Sequence, residues 1–156
     1  MKVGDLMAKL PSSIHQNENL NEAARIMWEL DCGFLPVSND EHEIIGVLTD
    51  RDICMAGYTQ GLPLQQIPCH VAMSKTLVSC EAGDNLHTAE DLMQHYQVRR
   101  LPVLDKQKQL CGILSLNDIA LAYQERNAPG MKADEVADTL AAVCRHQHGS
   151  LLSLAS

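Results

Sequence analysis

Aromatic residues are scarce in this sequence: one Trp, one Phe and three Tyr occur among 156 residues. Proteins that stack the bases of single-stranded nucleic acid need aromatic platforms, so this scarcity argues against that class. Basic residues are also few, with 12 Lys and Arg against 20 Asp and Glu and a formal net charge of −8. No basic cluster is longer than Arg99-Arg100. Because a phosphate backbone needs a concentrated positive surface, we expect no nucleic-acid partner.

Long apolar runs are absent as well, and no stretch approaches the roughly 18 residues that a membrane span requires. The start of the chain, MKVGDLMAKL, carries no secretory apolar core. The six cysteines stand singly, and no CxxC pair occurs. We therefore expect no membrane association, reduced and mostly buried thiols, and a cytoplasmic location.

Common enzyme signatures are also missing. The sequence contains neither a phosphate-binding GxxxxGK[ST] loop nor a GxGxxG dinucleotide fingerprint. No nucleophile stands at a recognisable spacing from a base and an orienting carboxylate. These absences predict a protein that is not an enzyme.

The tail carries one candidate metal motif, Cys144-x-His146-x-His148. On a helix, neighbours in this alternate spacing point roughly 200° apart, so the three side chains cannot converge on one ion unless the segment unwinds. Exposed tail histidines are the better interpretation, and we expect no metal site.

What the sequence does contain is an internal repeat. Shifting the chain by 66 positions aligns FLPVSNDEHEIIGVLTDRDI (34–53) with RLPVLDKQKQLCGILSLNDI (100–119), and the register extends back to residue 7 without a gap. Over residues 7–53 the two copies share 14 identities. A duplication of this kind indicates one supersecondary unit used twice, with each copy burying its open face on the other.

Each copy predicts the same order of elements. Asn19 and Asn85 precede apolar positions at helical spacing, which predicts helices that begin at Leu20 and Leu86. Short strands and a second helix follow in both copies; the strands are predicted at 34–37, 44–48, 101–104 and 110–114, and the second helices at 52–58 and 117–125. The predicted fold class is α+β, with two β-α-β-β-α repeats packed as a pseudo-twofold pair plus a C-terminal helix.

The repeat also predicts the division of the chain. Residues 1–57 form the first domain, 58–70 a linker, 71–126 the second domain and 127–156 a helical tail. The linker YTQGLPLQQIPCH is rich in Gly and Pro and carries no periodicity. In the tail, Met131, Val136, Leu140 and Val143 predict one apolar side of a helix.

The segment GVLTDRDI (46–53) admits two interpretations. Thr49 and Asp52 fit a capping box, in which a hydroxyl and a carboxylate bond the free N–H groups at a helix start. The same hydroxyl and carboxylate are equally suited to binding a ligand. Taken alone, the residues leave both interpretations open.

Taken together, the repeats resemble a tandem pair of cystathionine-β-synthase (CBS) domains, also called a Bateman pair. The resemblance covers roughly residues 3–125 and lies in DLM (5–7), the two LPV strands (35–37 and 101–103), and the paired segments GVLTDRD and GILSLND. A free-standing pair with a short tail is similar to the stand-alone bacterial CBS proteins, including the hypoxic-response type.

This resemblance implies a regulatory ligand with an adenosine group, such as AMP, ADP, ATP or S-adenosylmethionine, and no cofactor. It places Asp52 and Asp118 on the ribose hydroxyls, and Thr49 and Ser115 near phosphate. The adenine is expected between the strand before the first helix and the LPV strand of each copy. The full set of residues implied in binding is Ser13, Ile14, Phe34, Leu35, Pro36, Thr49, Arg51, Asp52, Ser79, Cys80, Arg99, Arg100, Leu101, Pro102, Ser115 and Asp118. For Ile14, Leu35 and Leu101, simple core packing is an open alternative.

The resemblance further implies that the two sites are unequal. In the family, a basic residue before one LPV strand reaches the phosphate of the nucleotide whose ribose the other copy holds. Arg99 and Arg100 occupy that place for the Asp52 site, whereas the first copy offers Gly33 and Phe34. The Asp118 site therefore departs from the phosphate-binding pattern.

Partners are implied in the same way. The family packs the helices of one pair against those of another, so we expect a homodimer built as a disc of four repeats. The apolar residues after the two caps favour this arrangement: Ile53, Cys54, Met55, Tyr58, Ile119, Leu121, Ala122 and Tyr123. A separate protein, which the sequence does not name, would receive the signal. The alternative is a CBS dimer that acts as an interaction scaffold without any ligand.

Overall fold

The computed structural model of the chain describes residues 1–9, 11–126 and 133–145. Its strands form two sheets, a three-stranded sheet of order β2-β3-β4 and a four-stranded sheet of order β1-β7-β6-β5. The strands are β1 (Ala8–Lys9), β2 (Ile14–His15), β3 (Phe34–Ser38), β4 (Ile44–Thr49), β5 (Cys80–Glu81), β6 (Arg100–Leu104) and β7 (Leu110–Ser115). The helices are α1 (Leu20–Glu29), α2 (Asp50–Gln60), α3 (Cys69–Ala72), α4 (Leu86–Tyr96), α5 (Leu116–Arg126) and α6 (Ala133–Cys144). The predicted α+β class and the β-α-β-β-α order of both repeats are confirmed.

The helices of the two repeats begin where the sequence predicts them. The side chain of Asn19 accepts a hydrogen bond from the Glu22 N–H at 3.0 Å, and that of Asn85 accepts one from the His87 N–H at 3.3 Å. These caps satisfy backbone donors that the first turn of a helix leaves free. Helices α2 and α5 are longer than predicted, because each begins directly after its β-strand.

Each repeat has its own hydrophobic core, built from equivalent residues. Nine pairs related by the 66-residue shift place one residue in each core: Val3 and Cys69, Ile14 and Cys80, Leu20 and Leu86, Ala23 and Ala89, Met27 and Met93, Leu35 and Leu101, Val37 and Val103, Leu48 and Leu114, and Ile53 and Ile119. The internal repeat in the sequence is therefore also a repeat of packing.

The two repeats exchange short segments. Strand β1 lies at the N-terminal end of the first repeat but pairs antiparallel with β7 of the second, with Ala8 opposite Ile113. Val3, also at the N-terminus, is fully buried in the second core. In return, Ser74 forms hydrogen bonds with Val47 in β4 at 2.8 and 3.2 Å.

The predicted linker takes part in the first core. Within it, Ile67 and Cys69 are fully buried against the residues of the first repeat. The Leu20 N–H at the start of α1 donates to the Ile67 carbonyl at 2.8 Å. This segment therefore closes the first repeat as well as leading to the second.

Helix α6 packs on α4 and α5 of the second repeat. Val143 joins the second core, and Val136 packs against it, as predicted. Leu140, predicted on the same side, is instead 49% exposed, and Thr139 is buried. The Thr139 hydroxyl fits there because it donates to the Glu135 carbonyl at 2.9 Å and accepts from Gln94 Nε2 at 2.8 Å. Met131 lies outside the described residues.

All six cysteines are free, but only Cys69 and Cys80 are buried, so the expectation of mostly buried thiols is wrong. Burial raises the pKa of Cys69 to about 11 and that of Cys80 to about 12, with smaller contributions from Glu18 and Asp84 respectively. These two thiols are therefore unreactive at neutral pH. None of the helices that the structure describes is long and apolar enough to cross a membrane.

Candidate functional site

The first cap motif, residues 49–52, joins β4 to α2. The Asp52 carboxylate accepts at Oδ2 from the Thr49 N–H at 2.8 Å and from the Thr49 hydroxyl at 2.7 Å. The Asp52 N–H donates to Thr49 Oγ1 at 3.2 Å. This reciprocal arrangement is the predicted capping box.

The second cap motif, residues 115–118, repeats this geometry between β7 and α5. The Asp118 carboxylate accepts at Oδ2 from the Ser115 N–H at 2.8 Å and from the Ser115 hydroxyl at 2.5 Å. In both motifs the cap uses one carboxylate oxygen, and within the described ranges no side chain or backbone group donates to the other one, Oδ1. Since a carboxylate oxygen accepts up to two hydrogen bonds, the cap leaves each aspartate able to bind a ligand hydroxyl.

The first cap motif opens into a cavity of about 500 Å³ between the two repeats. This volume lies within the range of pockets that hold small ligands. The cavity brings together seven of the predicted site residues: Phe34, Thr49, Arg51, Asp52, Arg99, Arg100 and Pro102. The aspartate thus comes from the first repeat, and two of the three arginines come from the second.

The other predicted residues lie elsewhere. Leu35 and Leu101 are core residues, and Pro36 is buried in β3 opposite Val47. Ser13 and Ile14 line a separate depression beside Glu18, and Ser79 and Cys80 line another beside Lys106. Ser115 and Asp118 form the second cap motif.

The strand register explains why β2 and β5 miss the cavity. Ile14 pairs with Val37 and Cys80 pairs with Val103, near the C-terminal ends of β3 and β6. The cavity lies at the opposite ends of these strands, where Phe34 and Arg100 begin them.

Several residues that line this cavity were not predicted from the sequence. Ser74, Thr76 and Val78 come from the segment that leads to β5, and Val47 and Gln97 complete two of the walls. Ser74 is held there by its backbone pairing with Val47. No periodic pattern marks the segment, so the signal that could have found it is only its position between the linker and β5.

Charge distinguishes the two repeats at equivalent positions. The cavity of the first cap motif contains three arginines, at 51, 99 and 100, and two aspartates, at 50 and 52. The 66-residue shift places Asn117, Gly33 and Phe34 where these arginines stand and Leu116 where Asp50 stands. At these equivalent positions, the first cap motif has cations for an anionic ligand and the second has none.

A metal site receives no support from the described part of the chain, in which no three His, Cys, Asp or Glu side chains are grouped to hold an ion. Of the tail motif, Cys144 is exposed at the end of α6. His146 and His148 lie outside the described residues.

Comparison with known families gives one match over most of the chain. The model of the CBS domain matches twice, at residues 3–58 and 67–125. The chain belongs to the CBS-domain family. The two matched CBS domains correspond to the two repeats, and the tail helix α6 lies beyond both.

Curated relatives include stand-alone CBS proteins of similar length. The chain is 35% identical over 128 residues to the CBS domain-containing protein YhcV of Bacillus subtilis, covering 82% of this chain and 89% of that protein. It is 32% identical over 116 residues to hypoxic response protein 1 of Mycobacterium tuberculosis, covering 74% and 80%.

Solved structures show the same CBS-pair fold. Hypoxic response protein I, crystallised with two coordinated zinc ions, matches with a TM-score of 0.71 at 30% identity, covering 78% of this chain and 98% of that one. CBSX2, crystallised in complex with AMP, matches with a TM-score of 0.71 at 24% identity, covering 81% and 98%.

Proposed function

We propose that the cavity at the first cap motif binds an adenosine nucleotide and that the protein is a regulatory module, not an enzyme. The observation that carries this proposal is the meeting of Asp52 with Arg99 and Arg100 in one cavity between the two CBS domains. A carboxylate suited to hydroxyls next to cations suited to phosphate matches a nucleoside phosphate. CBSX2, which shares the fold, holds AMP in its crystal structure.

The proposed ribose and phosphate contacts use the geometry of the first cap motif. Asp52 Oδ1 accepts from ribose hydroxyls while Oδ2 keeps its bonds to Thr49. The N-terminus of α2 carries the positive end of the helix dipole, which favours an anion. Arg99 and Arg100 supply charge-assisted hydrogen bonds from the other domain. Among the remaining lining residues, Val47, Val78 and Pro102 offer apolar contact for the base.

The site at the second cap motif is expected to be weaker for charged nucleotides. Asp118 has the same free carboxylate oxygen as Asp52, but no arginine stands at the equivalent positions. The difference in affinity between the two sites should therefore be smallest for uncharged adenosine.

Regulation is proposed to work by a population shift in a cytoplasmic homodimer. A nucleotide that contacts both CBS domains stabilises one relative arrangement, and a separate partner protein recognises that arrangement. Support for the homodimer comes from the exposed apolar residues of α1 and α2, with Trp28 at 87% and Tyr58 at 81% exposure. Other members of the predicted apolar set, Ile53, Ile119 and Ala122, are buried within the chain itself.

The same exposed face favours a second candidate function, an interaction scaffold that needs no ligand. Calorimetric titration of the wild type with adenosine, AMP, ATP and S-adenosylmethionine separates the two candidates. The regulatory proposal predicts saturable binding of at least one of the four. If none gives heat or a thermal shift at millimolar concentration, the scaffold replaces it.

A matched pair of variants tests the site itself. Asp52→Ala should weaken AMP binding by about 1.5–3 kcal/mol, the usual scale for a hydrogen bond to a charged group. Both Asp52→Ala and Asp118→Ala should lower the free energy of unfolding by roughly 1 kcal/mol through the lost cap. Asp118→Ala should nevertheless change AMP affinity less. Equal AMP affinity in wild type and Asp52→Ala would reduce this aspartate to a helix cap.

A further inference from the structure

One side chain connects the cavity at the first cap motif to the tail helix. Gln97 lines the cavity together with Arg99 and Arg100. Its Nε2 donates to the Arg145 carbonyl at 3.0 Å and to the Ala142 carbonyl at 3.3 Å, both at the C-terminal end of α6. Gln97 therefore contacts both the candidate nucleotide site and the C-terminal end of α6.

The backbone fixes Gln97 in this position. It is the C-cap of α4 and adopts a left-handed conformation, with φ of 53°. Its N–H bonds back to the Met93 carbonyl, so the residue is tied to the end of α4. Val98, Arg99 and Arg100 continue directly from it into β6, and any shift of this segment moves Gln97 too.

A second contact holds α6 outside the cavity. Gln94, one turn earlier on α4, donates to the buried Thr139 hydroxyl at 2.8 Å. Gln94 is not among the residues that line the cavity. The two glutamines thus share one function, the docking of α6, but only one of them is placed to contact a ligand.

The first repeat has no equivalent connection. The 66-residue shift places Asp31 opposite Gln97, and Asp31 has the same left-handed backbone, with φ of 49°. A carboxylate cannot donate to helix carbonyls, so Asp31 could not hold a helix end in this way. The link is a property of the second CBS domain alone.

We propose that an anionic ligand in the cavity releases α6 from its seat on α4 and α5 through Gln97. This inference rests on the proposed function, because it takes the nucleotide phosphate as the anion. Gln97 Nε2 already donates to two carbonyls at the end of α6, so a phosphate that accepts from this amide competes with α6 for the donor. The carbonyl end of α6 is also the negative end of its dipole, and an added anion nearby repels it.

Release of α6 changes the surface that the protein presents. The docked helix covers part of α4 and α5, the elements equivalent to the exposed α1 and α2. Nucleotide binding would therefore expose on the second repeat a face that the first repeat exposes permanently.

Hydrogen exchange of the α6 amides tests the proposal in the full-length protein, with AMP as the probe and adenosine as the uncharged control. Saturating AMP should raise the exchange rate of residues 133–145 by about fivefold or more, the lower end of usual coupling between two sites. Adenosine should leave the rate within twofold of the free protein. In Gln97→Ala, exchange should be fast without ligand, and AMP should add nothing.

Thermodynamic linkage supplies a second test, because coupling between two sites is reciprocal. Gln94→Ala loosens α6 from outside the cavity, so it should tighten AMP binding by up to about fivefold, the factor that one lost hydrogen bond allows. A Gln94→Ala protein with fast α6 exchange and unchanged AMP affinity would overturn the proposal.

The outcomes distinguish this inference from the function on which it rests. AMP binding with unchanged α6 exchange overturns the inference and leaves the proposed function intact. Failure of AMP to bind overturns both. Equal release by adenosine and AMP contradicts the role given to the phosphate.

Discussion

The residues that form the candidate site divide by charge and by origin. Asp52 belongs to the first repeat and Arg100 to the second, and the cavity between the repeats holds both. Each side chain is suited to a different part of a nucleotide, so a substitution at each should change a different ligand preference.

Arg100→Ala should weaken binding of AMP and ATP by roughly 1.5–3 kcal/mol and leave adenosine affinity unchanged, because only the phosphates interact with the guanidinium charge. Calorimetry with the three ligands measures this selectivity. Lys106→Ala is the matched control, since Lys106 is an exposed cation that lines a different depression. Equal losses for adenosine and AMP would place Arg100 at the base or ribose.

Glu90 is a buried acid on α4, the helix against which α6 packs, and only 5% of its surface is exposed. Burial raises the pKa of its carboxyl, Glu135 on α6 and Asp91 add to the rise, and His87 opposes it. Because the folded protein prefers Glu90 protonated, this residue makes stability fall as pH rises above the carboxyl's ordinary range.

Glu90→Gln should therefore raise the free energy of unfolding at pH 7 and have a much smaller effect near pH 4, where Glu90 is mostly protonated in both states. Urea unfolding at the two pH values measures the difference. Glu41→Gln is the control, because Glu41 is an exposed acid between β3 and β4 and does not contribute to the raised pKa of Glu90. A stabilisation by Glu90→Gln that persists at pH 4 would contradict this titration.

Among the secondary-structure elements, β1 packs its backbone closely against that of β7. A Cβ added at Gly112 in β7 would lie 2.9 Å from the Ala8 carbonyl oxygen and 2.5 Å from Met7 Sδ. The first repeat has the same close approach, since a Cβ at Gly46 would lie 2.6 Å from the Ser74 carbonyl oxygen. Both glycines leave room for the exchanged segments.

Gly112→Ala should lower the free energy of unfolding by about 1–3 kcal/mol, the usual cost of forcing an extra methyl into a packed site. Chemical denaturation measures this loss. Gly83→Ala is the control, because nothing lies within 4 Å of the position where its Cβ would be. Two substitutions with the same small effect would mean that β1 adjusts without cost.

The elements differ in how well the sequence predicts them. Helices α1 and α4 were predictable, because their apolar spacing and the caps at Asn19 and Asn85 are local signals. The pairing of β1 with β7 was not, since two-residue strands carry no pattern and their partners lie far along the chain. Leu140 was misplaced for a related reason: the buried Thr139 depends on Gln94, a residue 45 positions away.

The candidate site was predictable in the same uneven way. The meeting of Asp52 with Arg99 and Arg100 was expected from the family resemblance, and the geometry brings them together. Thr76 and Val78 were missed in favour of Ser79 and Cys80, because only the strand register decides which part of that segment reaches the cavity.

For the whole molecule, the proposed disc of four repeats meets an obstacle in α6. This helix packs on α4 and α5 of the second repeat, whereas α1 and α2 of the first repeat remain open. A dimer that used the helices of all four repeats would require α6 to leave its seat. The face available without such a change is that of Trp28 and Tyr58.

Sedimentation equilibrium at micromolar concentration should give twice the chain mass of 17.2 kDa. Trp28→Asp should shift this mass toward the monomer, because it replaces the most exposed apolar side chain of the face with a charge. Leu140→Asp, an exposed position on α6, is the control and should leave the mass unchanged. A wild-type species near 17.2 kDa would overturn the homodimer.

The pairing of β1 with β7 also affects how the chain folds during its synthesis. Ala8 pairs with Ile113, so 105 residues separate the two partners. At a ribosomal rate of roughly 5–20 residues per second, β1 emerges about 5–20 s before its partner strand. All residues of the first core lie before Ser74, so this core can fold while β1 is still unpaired. On a polysome this interval would allow β1 to pair with the β7 of a neighbouring nascent chain, the route by which domain-swapped dimers arise.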